Sequence, residues 1–322
     1  MIAHLNGLLT RLQHRITRDM AWLLFSPPLL DESAGVQLFS LPPDAPGRLA
    51  DWLLALDANP APLQHHLANA PRRLGLYAEQ LWLFIWQQAP VFEQPLAAVH
   101  HNLPVYAAAE SGKGRITRGA FDFLLGDGES WQPLEVTVKF YLGVPEWQKT
   151  PGDWFAWPGP DSRDSAGSKF GHLVAHQLRL AETPEGRERL QQLEPSLPVK
   201  PGRALLRGYF FYPANRVLNP PRHSHPQHLR GQWWYGKDFL QLAADRRFVY
   251  LPKEEWLSPQ RRQPQETASG QQLWEQLSAE GKTRYPLMLA ELRPAEGGYV
   301  EQQRHCIVPD YWPATATPPC NK

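Results

Sequence analysis

The sequence predicts an α/β fold in which one apolar helix is followed by three strands, a second helix and a fourth strand. Three observations lead to this prediction. Segment 73–89 carries apolar residues at intervals of three and four, as a buried helix does. Two strand-like runs, 120–125 and 134–142, flank a turn-rich segment, 126–130, which is the pattern of a hairpin. A last apolar run, 203–212, is typical of a strand.

Composition limits the class of protein. The chain has 322 residues, of which 42% are hydrophobic, so it can bury the core of one large domain or two smaller ones. Its 33 basic and 32 acidic residues nearly cancel, so any nucleic-acid-binding groove must be local. The two cysteines, Cys306 and Cys320, exclude a disulfide framework and suit a reducing compartment.

No targeting or membrane segment is recognisable in the sequence. The first 19 residues have apolar positions spaced as on a helix face, but they lack the continuous apolar core of a signal peptide. No later run is long enough to span a bilayer. We therefore expect a cytoplasmic protein with no membrane partner.

The N-terminal section, 1–70, reads as a helical packing layer. Segments 20–25 and 49–56 are apolar helical runs, separated by Pro-Pro pairs that a helix cannot easily continue through. The stronger helix at 73–89 follows this layer. It surrounds Glu79 with apolar neighbours, so this acid is expected to be partly buried.

A buried acid needs a partner, and two interpretations of Glu79 remain open. It forms an ion pair with Arg72 or Arg73, or with another base, or it helps to hold a metal ion or a water molecule.

Three strands and a helix follow in order. The strands are predicted at 105–109, 118–125 and 134–142, and the helix at 165–182, with Asp164 or Ser165 as its N-cap. A loop rich in Pro, Gly and Trp precedes that helix, and its tryptophans either seal the core or stack on a base.

Charged side chains interrupt the second and third strands. Asp122, Glu135 and Lys139 lie among apolar residues, although Asp and Lys are depleted in strands and do not tolerate burial without a partner. They mark either a polar site or the exposed positions of a half-solvated strand. Lys169 and Gln177 on the next helix are candidates for the same site.

The C-terminal section, 214–322, is predicted to be a smaller α+β region. It begins with a Pro-rich connection holding His223, His225 and His228, whose spacing suits either a metal site or a solvated loop. The sequence contains no Gly-rich phosphate loop, Rossmann fingerprint or Ser-centred nucleophile elbow, so the enzyme classes that use them lose support.

The order of the polar residues resembles the PD-(D/E)XK nuclease superfamily. Glu79 lies on the first helix, Asp122 on the second strand, Glu135 and Lys139 on the third, and Gln177 on the following helix. More narrowly, RRLGLYAEQLWLFIW, FDFLL, LEVTVKFYLG, HLVAHQL and MAWLLFSPPLL look like a bacterial protein family defined as a domain of unknown function. The resemblance implies a restriction-endonuclease-like core at 71–213.

The resemblance also implies a function. The chain would be a nuclease dependent on Mg²⁺ or Mn²⁺ that hydrolyses phosphodiester bonds of DNA or RNA. Asp122 and Glu135 would be the metal ligands, with Glu79 as an auxiliary acid. Lys139 would position water or phosphate, and the supporting contacts would come from Gln177 and Lys169.

One spacing departs from the superfamily pattern. The acid and the lysine of the third strand are two residues apart in that pattern, but Glu135 and Lys139 are four apart, or about 13 Å rather than about 7 Å along a strand. Thr137 therefore stands either where the lysine is expected or where the acid is expected. The alternative function is a catalytically inactive nuclease-like scaffold that binds nucleic acid or a protein partner.

Overall fold

The computed structural model describes residues 2–108, 114–242 and 245–313. Within these ranges the chain is a mixed α/β protein with nine α-helices and a ten-stranded, mostly antiparallel open sheet. The predicted α/β class is confirmed at this level. The helices are α1 (Ile2–Arg11), α2 (Arg15–Phe25), α3 (Ala45–Ala58), α4 (Ala61–Leu67), α5 (Leu74–Gln88), α6 (Ala166–Ala175), α7 (Pro184–Gln191), α8 (Gly236–Leu242) and α9 (Gly270–Ala279).

The strands are β1 (Ala98–Ala108), β2 (Arg115–Gly126), β3 (Trp131–Leu142), β4 (Arg203–Pro213), β5 (Leu229–Tyr235), β6 (Arg247–Leu251), β7 (Arg261–Arg262), β8 (Ala268–Ser269), β9 (Leu287–Ala295) and β10 (Gly298–Val308). β1 is the outermost strand at one end of the sheet and is followed by β2, β3 and β4. The predicted strand at 105–109 is longer than expected at its start, and residue 109 lies outside the described residues.

The chain divides into two compact units. The first comprises Met1–Val138 and Phe170–Arg207, and the second comprises Lys139–Lys169 and Gly208–Lys322. Each unit is therefore assembled from two separate stretches of sequence. The division of the chain into segments 1–70, 71–213 and 214–322 stays a prediction.

The N-terminal helices of the first unit pack as the apolar runs predict. In α2, every residue from Thr17 to Phe25 is buried. The start of this helix is held by Asp57 of α3, whose carboxylate accepts hydrogen bonds from the backbone N–H groups of Gln13 and His14 at 2.8 and 2.9 Å. These bonds satisfy donors that a helix N-terminus leaves without intrahelical partners.

The predicted hairpin of the first unit is confirmed. β2 and β3 pair antiparallel from Phe123↔Leu134 to Gly126↔Trp131. Asp127 closes the turn, since its Oδ1 accepts hydrogen bonds from the backbone N–H groups of Glu129 and Ser130 at 2.9 and 2.7 Å. An Asx side chain that binds its own turn in this way stabilises the local chain reversal.

The predicted single helix at 165–182 is wrong in its second half. α6 ends at Ala175, and His176 leaves the helical conformation with φ −127° and ψ −59°. A 3₁₀ segment, Gln177–Glu182, follows, and then Thr183 caps α7 by accepting a hydrogen bond from the N–H of Gly186 at 3.0 Å. The break places Gln177 on the 3₁₀ segment rather than on a continuous helix.

The strands of the second unit pair as a mixed sheet. β5 pairs parallel with β4 and β10, while β9 lies antiparallel between β10 and β6. The apolar core beside these strands is formed by Phe239, Phe248, Leu273, Leu277, Leu287, Leu289 and Ile307. The C-terminal section therefore contains both strands and helices.

A buried polar chain lies within the second unit. His305, which is 2% exposed, accepts a hydrogen bond at Nδ1 from Trp234 Nε1 (3.1 Å) and donates one from Nε2 to Glu291 Oε2 (3.0 Å). The hydrogen bond from His305 lowers the pKa of Glu291 below its usual value, although burial opposes this shift.

Two further features of the chain bear on the expectations from composition. Cys306 is fully buried, and burial raises the pKa of its thiol; Cys320 lies outside the described residues. Within the described ranges, no helix combines the length and the apolar character needed to cross a membrane.

Candidate functional site

The candidate site lies where β2 and β3 stop pairing. The last regular pair of the hairpin is Phe123↔Leu134, and the same register continued by one residue sets Asp122 across from Glu135. There the side chain of Asp122 replaces a backbone acceptor, because its Oδ2 accepts a hydrogen bond from the N–H of Val136 at 2.9 Å. The Asp122 carboxylate is thus fixed at the point where the two strands separate, on the backbone of the residue that follows Glu135.

Glu135 is buried in the first unit, with 5% of its surface exposed. Its Oε2 accepts a hydrogen bond from Gln177 Nε2 at 2.7 Å. A buried carboxylate is costly unless polar groups compensate for lost hydration, and the Gln177 amide supplies one such group. The end of α6 at Ala175 makes this contact possible, since the 3₁₀ segment starts at Gln177.

Glu79 is held one strand away from this pair. Its Oε2 lies 3.3 Å from His101 Nε2 on β1, so its partner is a base other than Arg72 or Arg73. The His101 ring stacks on Phe123, with 4.9 Å between ring centroids. Glu79 is therefore connected to Phe123, the residue next to Asp122, through the ring of His101.

The backbone of β1 is unusual beside Asp122. Asn102 has φ +51°, a left-handed conformation that is rare for a residue other than glycine. It lies between the pairs His101↔Phe123 and Leu103↔Phe121, at the position across from Asp122. Such strain persists only where the surrounding structure enforces it, and it often accompanies functional sites.

The two predicted lysines lie in the second unit. Lys139 Nζ is 2.6 Å from Asp164 Oδ2, and both side chains are about one third exposed. Lys169 is on the first turn of α6. Thr137, at the position where the superfamily pattern expects a lysine or an acid, is 9% exposed. Of the six predicted residues, the structure therefore groups Asp122, Glu135 and Gln177 most directly.

A cleft of about 450 Å³ opens beside Gln177 within the first unit. Its polar lining comes from Arg118, His172, His176, Gln177, Arg179 and Glu185. The rings of the two histidines are 5.0 Å apart between centroids, at the end of α6 and just beyond it. Both histidines are exposed.

The two carboxylates near the strand separation are oxygen donors of the kind that a magnesium ion takes. Within the part of the chain that the structure describes, no three His, Cys, Asp or Glu side chains form a group able to hold a metal. Mg²⁺ differs from zinc in this respect, because it commonly takes only one or two carboxylates and keeps water or substrate phosphate as its other ligands. Asp122 and Glu135 supply that kind of oxygen donor.

The histidines of the Pro-rich connection serve the second unit instead of forming a metal group among the described residues. His228 is buried, donates from Nδ1 to the carbonyl oxygen of His225 at 2.7 Å, and accepts at Nε2 from the Tyr212 hydroxyl at 2.9 Å. Burial lowers the pKa of His228, which favours the neutral ring that this pattern requires.

Sequence reasoning did not find the roles of three residues. His101 pairs with Glu79, and Asp164 pairs with Lys139, each partner lying far away in the sequence. Asn102 is distinguished by its backbone angle. The adjacent pair His100-His101 before a strand was the one available signal, and it does not identify Glu79 as the partner.

Comparison with known proteins gives one match. A family model described as a domain of unknown function, DUF1853, matches residues 18–308. No curated protein and no solved structure matches the chain.

Proposed function

The chain belongs to the DUF1853 family, and from this premise and the site we propose that it is a Mg²⁺-dependent nuclease hydrolysing phosphodiester bonds of DNA or RNA. The observation that carries the proposal is the hydrogen bond that the Asp122 carboxylate accepts from the N–H of Val136, the residue after Glu135, where β2 and β3 stop pairing. We place this activity in the bacterial cytoplasm, in keeping with the two cysteines of the chain.

The order of elements around the pair supports the proposal. α5 precedes β1, β2 and β3, and α6 and β4 follow, as in the PD-(D/E)XK pattern, with α7 as an addition. In this interpretation the core is restriction-endonuclease-like, and Glu79, Asp122, Glu135 and Gln177 occupy the expected elements or, for Gln177, the 3₁₀ segment after the expected helix.

The chemistry follows from the donors present. When bound, Mg²⁺ would polarise the phosphodiester and lower the pKa of an attacking water. Asp122 and Glu135 would be its protein ligands, and the Gln177 amide keeps the Glu135 carboxylate oriented by its hydrogen bond. Glu79, through His101, is an auxiliary acid at the β1 side of the site.

The test is cleavage of labelled single- and double-stranded DNA and RNA with Mg²⁺ or Mn²⁺. We expect Asp122→Asn and Glu135→Gln each to reduce cleavage at least about 100-fold, since each removes a charged metal ligand. Glu129→Gln, an exposed acid of the same hairpin, is the matched control and should leave cleavage unchanged. Cleavage that is absent from the wild-type protein, or unaltered in Asp122→Asn, refutes the proposal.

One observation favours a second candidate, a catalytically inactive scaffold that binds nucleic acid or a protein partner. Lys139 is engaged by Asp164, and Thr137 stands at the position where the superfamily places a catalytic group. A scaffold would bind nucleic acid without cutting it. Binding by wild-type protein that needs no divalent ion, with no product after long incubation, would support this candidate over the nuclease.

A further inference from the structure

The cleft beside Gln177 suggests a substrate subsite. It is bordered on one side by β2 at Gly119 and Ala120 and on the other by the end of α6 and the 3₁₀ segment. Gly119 allows the close approach, because a Cβ at this position would come within 3.3 Å of the Leu180 side chain. Its volume of about 450 Å³ lies within the range of small-ligand clefts.

The lining has two different surfaces. Ala120, Ala175 and Leu180 provide an apolar part. Cationic or protonatable side chains provide the other part, and they are Arg118, His172, His176 and Arg179. Apolar surface suits the packing of a nucleobase or a sugar, while guanidinium groups suit phosphate oxygens, which they can contact with two parallel hydrogen bonds.

The cleft is directly linked to the candidate metal ligands. Gln177 lines the cleft, and its Nε2 atom donates to Glu135 Oε2 at 2.7 Å. A polynucleotide whose scissile phosphate lies at Asp122 and Glu135 would therefore pass its neighbouring nucleotide into this space. The volume of the cleft, about 450 Å³, suits a single nucleotide.

We propose that this cleft binds one nucleotide of a single-stranded nucleic acid, next to the phosphodiester bond held at Asp122 and Glu135. The assignment rests on the proposed nuclease function. Arg118 and Arg179 contact the phosphate of that nucleotide, and the two histidines line its path. In the absence of substrate, Arg118 is paired with Glu185, with 3.5 Å between Arg118 Nε and Glu185 Oε1.

The Arg118–Glu185 pair allows a test whose expected result is a gain in affinity, which a less stable protein would not show. Glu185 places a negative charge inside the cleft and competes with phosphate for Arg118. Glu185→Gln should therefore strengthen binding of a short single-stranded oligonucleotide by about three- to tenfold, a gain that corresponds to removal of one charge repulsion. Glu188→Gln, an exposed acid on the same helix and outside this cleft, is the control.

The complementary variant is Arg118→Gln combined with Arg179→Gln. Fluorescence anisotropy with a labelled oligonucleotide in metal-free buffer should show affinity at least about tenfold weaker than wild type. The dependence of log K on log salt should become shallower by about 0.7 for each phosphate charge that the variant no longer neutralises. Arg187→Gln, which removes an exposed arginine of α7 outside the cleft, should bind like wild type.

The outcomes separate this proposal from the nuclease proposal. Unchanged affinity in the double arginine variant, or no gain in Glu185→Gln, overturns the subsite whether or not the protein cuts. Equal competition by a matched duplex also overturns it. Selective single-strand binding that responds to both changes supports the subsite, even if the wild-type protein yields no cleavage product and the nuclease proposal fails.

Discussion

Gln177 donates a hydrogen bond to the buried carboxylate of Glu135, with 2.7 Å between Nε2 and Oε2, across 42 residues of sequence. Glu135 is an acid with 5% of its surface exposed, so the amide compensates for part of its lost hydration. The contact joins β3 to the 3₁₀ segment that follows α6.

Gln177→Ala is expected to lower the free energy of unfolding by about 1–3 kcal/mol, because a buried charged acceptor is deprived of a donor. Urea unfolding followed by circular dichroism measures the change. Gln191→Ala, at an exposed position at the end of α7, is the control and should stay within about 0.5 kcal/mol of wild type. Equal stability of the two variants would contradict the role given to Gln177.

Asn102 is expected to respond to backbone conformation rather than to side-chain chemistry. Its φ of +51° suits glycine, so Asn102→Gly should keep the stability of the wild type or raise it by up to about 1 kcal/mol. Asn102→Val should lower stability by about 1–3 kcal/mol, since a β-branched residue is poorly tolerated there.

Thermal unfolding of both Asn102 variants provides the measurement. Thr117→Val on β2 is the control, because Thr117 is exposed and extended and a strand tolerates valine there. If Asn102→Val lowers stability no more than Thr117→Val does, the left-handed backbone at Asn102 is not enforced by its surroundings.

Gly208 is expected to be the most sensitive glycine of the second unit. It has φ +145°, and a Cβ at this position would lie 1.7 Å from the carbonyl oxygen of Lys139. Gly208→Ala should therefore cost more than about 4 kcal/mol or yield little folded protein, because backbone must move to make room. Soluble yield and the unfolding midpoint report the effect.

Gly171→Ala is the matched control for Gly208. Gly171 lies within α6, and a Cβ there would meet no atom within 4 Å. Alanine has the higher helix propensity, so this variant should gain about 0.5–1 kcal/mol. If Gly208→Ala is folded and as stable as wild type, the close approach of the Gly208 and Lys139 backbones is contradicted.

The Glu291–His305 pair predicts how stability depends on pH. The hydrogen bond from His305 lowers the folded-state pKa of Glu291 below its usual value of 4.5. A carboxyl whose pKa is lower in the folded state contributes stability that is fully present above the unfolded pKa and is lost as pH falls through the folded pKa. The contribution of Glu291 should therefore begin to fall below about pH 4.5 and be lost as pH drops through the lower folded-state pKa.

Glu291→Gln tests this linkage. Above the usual pKa of 4.5 the variant should be less stable than wild type, and the difference should shrink as the solution is made more acidic. Chemical unfolding across this pH window gives the two curves. Glu275→Gln, which changes an exposed acid of α9, is the control, and its stability should depend on pH as that of the wild type does. A stability difference between wild type and Glu291→Gln that does not change with pH would show that the Glu291–His305 pair does not contribute to the pH dependence.

Local patterns predicted much of the fold. The turn after β2 was readable because Gly126, Asp127 and Gly128 interrupt two apolar runs, and α5 was readable from the spacing of its apolar residues. The end of α6 was not readable, because segment 172–182 contains no glycine or proline and retains helix-forming residues. Its break is enforced by tertiary structure, which overrides local propensity.

The candidate site was predictable in its residue types and less so in its contacts. Asp122 and Glu135 stood out because charges within apolar strands need a partner. The pairing of Lys139 with Asp164, and of Glu79 with His101, joins elements that the sequence separates by 25 and 22 residues. Sequence periodicity carries no information about such partners, since it reports only which face of an element is buried.

The left-handed backbone at Asn102 also affects whether the edge of the sheet can pair with a strand of another chain. β1 ends the sheet, and an outermost strand with a regular row of N–H and C=O groups is a template for adding a strand from another molecule. Asn102 turns the backbone out of the extended conformation, and Pro104 two residues later has no N–H to donate. The same few residues that border the candidate site therefore interrupt the regular row of backbone groups along this edge.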